Sequence, residues 1–442
     1  MHFNVDKQTL QELNLLGRYR PDSIFSIFNH TVTRGATTLL EQHFNSPLSE
    51  SHSIEERSNR FQFFYKNSFT LPFSSKEYDS TEQYVDSASA TNPLLFLFTN
   101  IKQKLFSVLS IDKEHLEIVK EQRESVKVIK EFIELTHSIA TKEKSEELLM
   151  KLSNINQKKK RDLLKRLEQY NPTDNSFINF LKLDYLLRYK NLTLVREILE
   201  SIEEVDLYIT VARVGRERQF NFAKLLPQDE NRVEVKGVYH PSIPNAVSND
   251  LLFNQEKNVL FLTGANMAGK STLMKAFGIS IYLAHMGYPA PFSSMEFSPA
   301  TGLSTSINVA DNLDMGYSHF YAEVVRVKEI ALKVAENRRV SVMFDELFKG
   351  TNVKDAHEAT VKITSAFAKK RRCSFIISTH IMEAGEELTK SEESITFKFL
   401  PSTLVGSQPK YSYLLQDGIS DDRHGMTIIK NEKIVEIIAG DL

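Results

Sequence analysis

The sequence predicts a mixed architecture: an all-α domain over residues 1–228, followed by an α/β domain over residues 229–442 built on a parallel sheet. Three observations predict it. Glycine is nearly confined to the second half, since residues 1–214 contain only Gly17 and Gly35 of the 16. The first half carries long breaker-poor stretches with helical spacing. The second half alternates short apolar runs with helical segments, as parallel strands joined by crossover helices do.

In chain order, the start MHFNVDKQTLQELN carries acids and lacks an apolar core, so it does not read as a secretory signal. RFQFFYK (60–66) reads as core rather than as a stacking platform. KEHLEIVKEQRESVKVIKEFIELTHSIA (113–140) and EKSEELLMKLSNINQKKKRDLLKRLEQY (143–170) read as long amphipathic helices. Within the latter, QKKKRDLLKR (157–166) concentrates six basic residues, which fits a solvated face or a phosphate-backbone contact. NPTDN (171–175) breaks the pattern, and helix resumes over 177–218. LLPQDENR (225–232) marks the boundary. Beyond it, NVLFL (258–262), RVSVMFDE (339–346) and CSFIIST (373–379) read as strands. KKRR (369–372) precedes the last of these; its cations suit a helix C-terminus, nucleic acid contact being the other reading.

Whole-chain composition narrows the class. At 442 residues, two or three domains are expected. Hydrophobic residues at 41% and charged residues at 25% argue against a disordered or membrane chain. No run of 18 apolar residues is present, so no membrane span is expected. A single cysteine, Cys373, excludes an intramolecular disulfide and a cysteine-cluster metal site. It is consistent with a reducing compartment, and the expected location is cytoplasmic. The net charge of −2 leaves nucleic acid open, and any basic surface would be local.

TGANMAGKST (263–272) follows an apolar strand and opens the helical segment LMKAFGISIYLAHMG. Gly264, Gly269, Lys270 and Ser271 fit the phosphate-loop pattern G-x-x-x-x-G-K-[ST]. Glycines let successive backbone N–H groups form a nest for anionic oxygens, and the following helix directs its positive end at them. Lys270 would reach the β- and γ-phosphates of ATP, and Ser271 a Mg²⁺ ion. RVSVMFDE ends on Asp345 and Glu346, one acid to hold the metal and one to orient or deprotonate water. His380 closes the next strand and could sense the γ-phosphate.

These residues resemble the MutS family of DNA mismatch-repair ATPases. TGANMAGKST is similar to the family's TGPNMGGKST, with the Asn266-Met267 pair the diagnostic part. Other segments follow in family order. KGVYHPSIP (236–244) resembles the start of the ATPase domain, and AVSNDLLF (246–253) the nucleotide-base loop. GYSHFYAEV (316–324) resembles S-T-F-x-x-E, FDELFKGTN (344–352) resembles D-E-x-x-R-G-T-S, and STHIMEAGEEL (378–388) resembles A-T-H-Y-x-E-L. LLQDGISDDRHGM (414–426) resembles the late V-x-D-G segment. VDKQTLQELNLL (5–16) and SIFSIFNHTVTRGATTLLEQHFNSPL (23–48) look like the start of the family's core domain. Residues from about 65 to 200 match only in helical character.

The resemblance implies an all-α core/lever domain followed by an α/β P-loop ATPase domain of ABC-like type. It implies a phosphate cradle of Gly264, Asn266, Met267, Ala268, Gly269, Lys270, Ser271 and Thr272, with metal at Ser271 and Asp345 and catalysis by Glu346 and His380. Ser318 would complete the neighbouring protomer's site, Tyr413 would stack on the base, and Val247 would lie near it. Lys349 replaces the family's usual arginine, and Ala265 and Ala268 replace a proline and a glycine; Ala268 needs a negative φ. The family's mismatch-reading and connector domains and most of its C-terminal helix-turn-helix are expected to be missing. Phe132-Ile133-Glu134 has the letters of the family's wedge, by coincidence within a helix. The implied function is an ATP-dependent DNA-binding ATPase coupling ATP binding and hydrolysis to dimer closure on DNA, without its own mismatch reader. Double-stranded or branched DNA, a nucleotide-dependent homodimer and no membrane are the expected partners. The alternatives are the same ATPase as a protein-remodelling or scaffold factor without DNA contact, and a phosphoryl-transfer kinase.

Overall fold

The computed structural model describes residues 3–17, 21–87, 113–142, 157–170, 176–307, 319–336, 338–405, 408–420 and 437–438. Thirteen strands are named in chain order: β1 (Asn4–Val5), β2 (Lys224–Leu225), β3 (Val233–Val238), β4 (Asn249–Phe253), β5 (Val259–Gly264), β6 (Ser294–Phe297), β7 (Gly302–Ser306), β8 (Val340–Phe344), β9 (Ser374–Ser378), β10 (Ile395–Leu400), β11 (Ser402–Val405), β12 (Gln408–Tyr411) and β13 (Gln416–Asp417). The fold is mixed helix and sheet. Among the described residues no helix is long and apolar enough to cross a membrane.

The chain divides into two compact units that interleave in sequence. One comprises Met1–Ile27, His43–Asn59 and Val214–Leu442; the other comprises Phe28–Gln42 and Arg60–Arg213. The sequence expectation assigned residues 1–228 to the helical part. In the structure the first residues join the sheet unit, because β1 pairs in parallel with β7, Asn4 opposite Gly302. A two-residue strand is too short to carry a periodic signal.

The sheet unit contains a seven-stranded sheet in the order β1-β7-β8-β9-β5-β10-β13. Its strands are parallel except β13, which runs antiparallel to β10. β5 and β8 are buried throughout, the near-continuous apolar pattern of strands covered on both faces. Val259, Phe261, Val342, Phe344, Phe375 and Ile377 form the centre of one core cluster. A second sheet, β2-β6-β3-β4, lies in the same unit, and β11 and β12 form a hairpin. Cys373 is buried just before β9.

The start of the chain is fastened to the sheet unit by charge. Asp6 caps the helix Lys7–Glu12 through the Thr9 N–H at 2.9 Å. Its carboxylate also accepts from Arg326 at 3.0 Å and from Lys333 at 2.7 Å. Burial raises its pKa, but these two cations outweigh burial and hold it well below the usual carboxylate range. Glu12 accepts from the Thr305 hydroxyl and from the Ile307 N–H at 3.0 Å.

The other unit is helical among its described residues. The helix Lys113–Lys142 buries Gln122, Ser125, Val126, Val128, Ile129, Phe132, Ile133, Thr136 and Ile139, mostly at spacings of three and four. Phe132 and Ile133 are fully buried, so their letters serve packing. Phe61 and Phe64 are buried too, and both contact the Tyr208 ring at 5.3 Å between centroids. That agrees with a core reading of 60–66. Asp206 fixes the start of the helix Arg34–Asn45 by accepting from the Val32 and Thr33 N–H groups at 2.8 and 2.7 Å. The expected helix over 177–218 is interrupted by a π-helical segment, Tyr185–Lys190, between Phe177–Asp184 and Leu192–Glu217. The break at 171–175 and the side chains of 157–161 lie outside the described residues, although helix runs over Gln157–Glu168.

Candidate nucleotide site

β5 ends at Gly264, and the loop 265–269 turns into the helix Lys270–His285. Two of its glycines are required by geometry. Gly264 has φ 142°, and a Cβ there would stand 2.8 Å from the Leu400 carbonyl oxygen; Gly269 has φ 100°, and a Cβ would meet the Tyr413 ring at 3.1 Å. Gly269 is also the helix N-cap and supplies no side-chain cap bond. The first N–H groups of a 16-residue helix are therefore left to an external acceptor, the arrangement that binds phosphate. Met267 takes the left-handed conformation, φ 69°, and is exposed at the crest beside Asn266. Ala268 is buried and is not among the positive-φ residues, so its methyl is accommodated without backbone strain.

Lys270 is 5% exposed, and its ammonium donates to the Gly264 and Ala265 carbonyls at 2.9 and 3.2 Å. Burial lowers its pKa, opposed by the negative charges of Asp345 and Glu346. On β8's end, Asp345 accepts from the Ser271 hydroxyl on one oxygen and from the Ser378 hydroxyl on the other. Its own N–H donates to Ser306 at 2.9 Å, and the Glu346 N–H donates to Ser378 at 3.0 Å. The ladder of β7, β8 and β9 thus continues up to the acidic pair.

Glu346 and Phe348 are both left-handed, φ 53° and 62°. Such residues cost about 1–3 kcal/mol each and concentrate where function fixes them. Glu346 Oε1 lies 2.6 Å from His380 Nε2, and Lys349 Nζ lies 3.9 Å from its other oxygen. The hydrogen bond from His380 is the main reason the Glu346 carboxyl sits below its ordinary pKa, against the opposing pull of burial.

Beside the loop opens a pocket of about 380 Å³. Val247, Met267, Gly269, Thr272 and Tyr413 line it, along with His240. Tyr413, itself left-handed at φ 59°, is held by Asn249. The Asn249 amide donates to the Tyr413 carbonyl at 2.9 Å and its oxygen accepts from the Leu415 N–H at 2.7 Å.

The sheet unit thus brings together Gly264, Asn266, Met267, Ala268, Gly269, Lys270, Ser271, Thr272, Val247, Tyr413, Asp345, Glu346 and His380. Ser318 lies outside the described residues. Sequence reasoning missed Ser378 and Asn249. Ser378 ends the strand just before His380, and Asn249 opens β4 two residues after Val247, so their only signal was adjacency. Magnesium takes one or two carboxylates, substrate phosphates and water. Asp345 and the Ser271 hydroxyl, in contact at the rim of the cradle, fit that donor set. Among the described residues no three His, Cys, Asp or Glu side chains converge on a cation site, so a metal here would also need substrate oxygens.

Residues 260–439 match the family model of MutS domain V. The chain is 30% identical over 212 residues to the DNA mismatch repair protein MutS of Clostridioides difficile (strain 630), an alignment covering 46% of this chain and 22% of that protein. It is 26% identical over 241 residues to MutS of Petrotoga mobilis, covering 53% of this chain and 29% of that protein. It is 27% identical over 245 residues to MutS of Thermotoga maritima, covering 54% and 30%. The matched region therefore spans less than a third of each relative's length.

Proposed function

Because the chain belongs to the MutS family and matches only part of its full-length relatives, we propose that it is a MutS-type ATPase that uses ATP to control its grip on DNA. The observation that carries this reading is the meeting of three strand ends. Lys270 and Ser271 follow β5, Asp345 and Glu346 follow β8, and Ser378 ends β9 with His380 two residues beyond it, all in hydrogen-bonding or charge contact. The domain reading, a helical core/lever domain over 1–228 and an ABC-like ATPase domain over 229–442, is part of this proposal, with Met1–Ile27, His43–Asn59 and the chain from Val214 packing into the sheet unit.

The base of ATP enters the pocket lined by Val247 and Tyr413. Its phosphates lie in the loop from Gly264 to Thr272, with the helix N–H groups as donors. The Lys270 ammonium, held by two carbonyls, transfers its donors to the β- and γ-phosphate oxygens. Mg²⁺, when bound through Ser271 and Asp345, neutralises charge on the phosphate oxygens. Glu346 takes the proton of the attacking water. The water oxygen bonds to the γ-phosphorus, the bond to the β-bridging oxygen breaks, and ADP and phosphate leave. His380 keeps Glu346 ionised and aimed by its 2.6 Å contact. Lys349 adds a point charge where a planar arginine fork would give two bonds.

Ser318 completes the neighbouring protomer's site in this reading, so ATP favours a dimer, and closure of the dimer alters DNA affinity. DNA is held through phosphates, with steep salt dependence. The test is ATP turnover with and without homoduplex, mismatched and branched DNA. Stimulation or inhibition by at least one DNA supports the reading. Turnover indifferent to every DNA, with no DNA binding by anisotropy at low salt, assigns the ATPase to a partner protein instead.

A further inference from the structure

At the opposite, amino-terminal end of the parallel strands, four arginines gather in one pocket of about 870 Å³. Arg338 and Arg339 immediately precede β8, and Arg371 and Arg372 come just before β9. Ser341 pairs with Ser374 in this parallel ladder. Below that first pair the two chains leave the ladder, 370–373 as a turn closed by the Cys373 N–H on the Lys370 carbonyl at 2.9 Å, and all four arginines line the same pocket, with the Arg339 and Arg372 charges close enough to interact.

Three of these guanidiniums have no carboxylate partner among the described residues. Arg339 donates to Gln228, at 2.6 Å to its side-chain oxygen, and Arg371 donates to the Glu256 carbonyl at 3.1 Å. These neutral acceptors fix the side chains and leave their charge uncancelled. Arg372 makes no hydrogen bond or ion pair among the described residues. Of the four, Arg338 alone is in an ion pair among the described residues, with Glu336 at 2.7 Å. Asp229 also faces the pocket and partly offsets Arg339, so the local balance is four cations to two anions. Burial and then the Arg372 charge lower the pKa of Arg339, a self-repulsion that a bound anion would relieve.

We propose that this pocket binds a phosphate-bearing oligoanion, a ligand with two or more adjacent phosphate groups held between Arg339 and Arg372, with Arg338 and Arg371 on the same lining. Arginine forks suit this chemistry, each taking two oxygens of one phosphate. The pocket is separate from the nucleotide cradle, which lies at the carboxyl ends of the same strands. The phosphates come either free, as an inorganic polyphosphate, or as the backbone of a nucleic acid end or single strand.

Calorimetry with inorganic tripolyphosphate tests this, in the full chain carrying Lys270→Ala to weaken the cradle's own phosphate affinity. Saturable binding is expected, at least tenfold weaker after Arg372→Ala and partly restored by Arg372→Lys. Arg372 makes no hydrogen bond or ion pair among the described residues, so Arg372→Ala is expected to fold; Arg339→Ala is the second variant, with its melting curve as control. ATP hydrolysis by the chain carrying Arg372→Ala alone stays at the unsubstituted rate. A single-stranded oligodeoxynucleotide that competes with tripolyphosphate identifies the nucleic acid source, and one that does not compete identifies the free source. No tripolyphosphate or oligonucleotide binding, or binding unchanged by both Arg339→Ala and Arg372→Ala, overturns the proposal.

Discussion

Asp345 holds hydroxyls on both carboxylate oxygens, so it is aimed by Ser271 and Ser378 together. Ser378→Ala therefore should weaken hydrolysis more than ATP binding, since it frees one side of a carboxylate that the cradle still meets on the other. A steady-state assay beside nucleotide titration separates the two; equal loss in both would put Ser378 in the cradle instead. Glu346 is tuned by its neighbour. Its pKa is depressed chiefly by the His380 hydrogen bond, so the base stays ionised as pH falls below the ordinary glutamate range. Removing that bond in His380→Ala raises the Glu346 pKa, and the acid limb of kcat moves to higher pH. A profile that keeps its acid limb in place would detach His380 from the base. Tyr413→Ala removes the ring beside Gly269; base–aromatic stacking is worth about 1–3 kcal/mol, roughly five- to 140-fold in Kd. Fluorescent-nucleotide titration reads this directly.

The helix behind the loop ends on His285, which is fully buried. One ring nitrogen lies 2.7 Å from the Leu48 carbonyl, the other accepts from the Ala300 N–H at 3.3 Å, and Phe3 stacks on the ring at 3.9 Å. Burial pushes its pKa down to about 4. The unfolded chain takes up this proton near pH 6.5, so the contribution is whole above that pH and is lost as pH falls from about 6.5 to about 4. The loss is on the order of 3 kcal/mol. Urea unfolding at pH 7 and pH 4.5 should show it, and His285→Gln should flatten the slope. The loop, the acidic strand end and His380 were legible in the sequence because each is a contiguous run whose residue types suit one chemistry. The β1–β7 pairing was not, since Asn4 and Gly302 are joined by backbone alone across nearly 300 residues. The second sheet was hidden for the same reason: β2 and β6 pair over two residues, and Val233–Val238 carries a bulge against β4 that spoils its alternation.

At the scale of the molecule, the two units are each assembled from separated stretches of chain. Truncation at residue 228 would therefore remove Met1–Ile27 and His43–Asn59 from the sheet unit, along with the Asp6–Arg326 and Glu12–Thr305 contacts. A fragment starting at 229 should be less stable than the same fragment supplied with those stretches by fusion, as measured by thermal unfolding. Shared sites are tested by mixing Ser318→Ala with Lys270→Ala chains. One composite site then carries both defects and the other neither, so partial recovery of hydrolysis supports shared sites, and no recovery, together with a monomer that hydrolyses ATP at a concentration-independent rate, means that each chain works alone. The central claim is that this cradle hydrolyses ATP with Glu346 as base. Phosphate release and retained nucleotide, measured together on the unsubstituted, Lys270→Ala and Glu346→Gln chains, test it most directly. The account predicts that Lys270→Ala loses both, and that Glu346→Gln keeps bound ATP while turning over about 10²–10⁴-fold more slowly. Unchanged turnover in Glu346→Gln, or normal ATP affinity in Lys270→Ala, would contradict it.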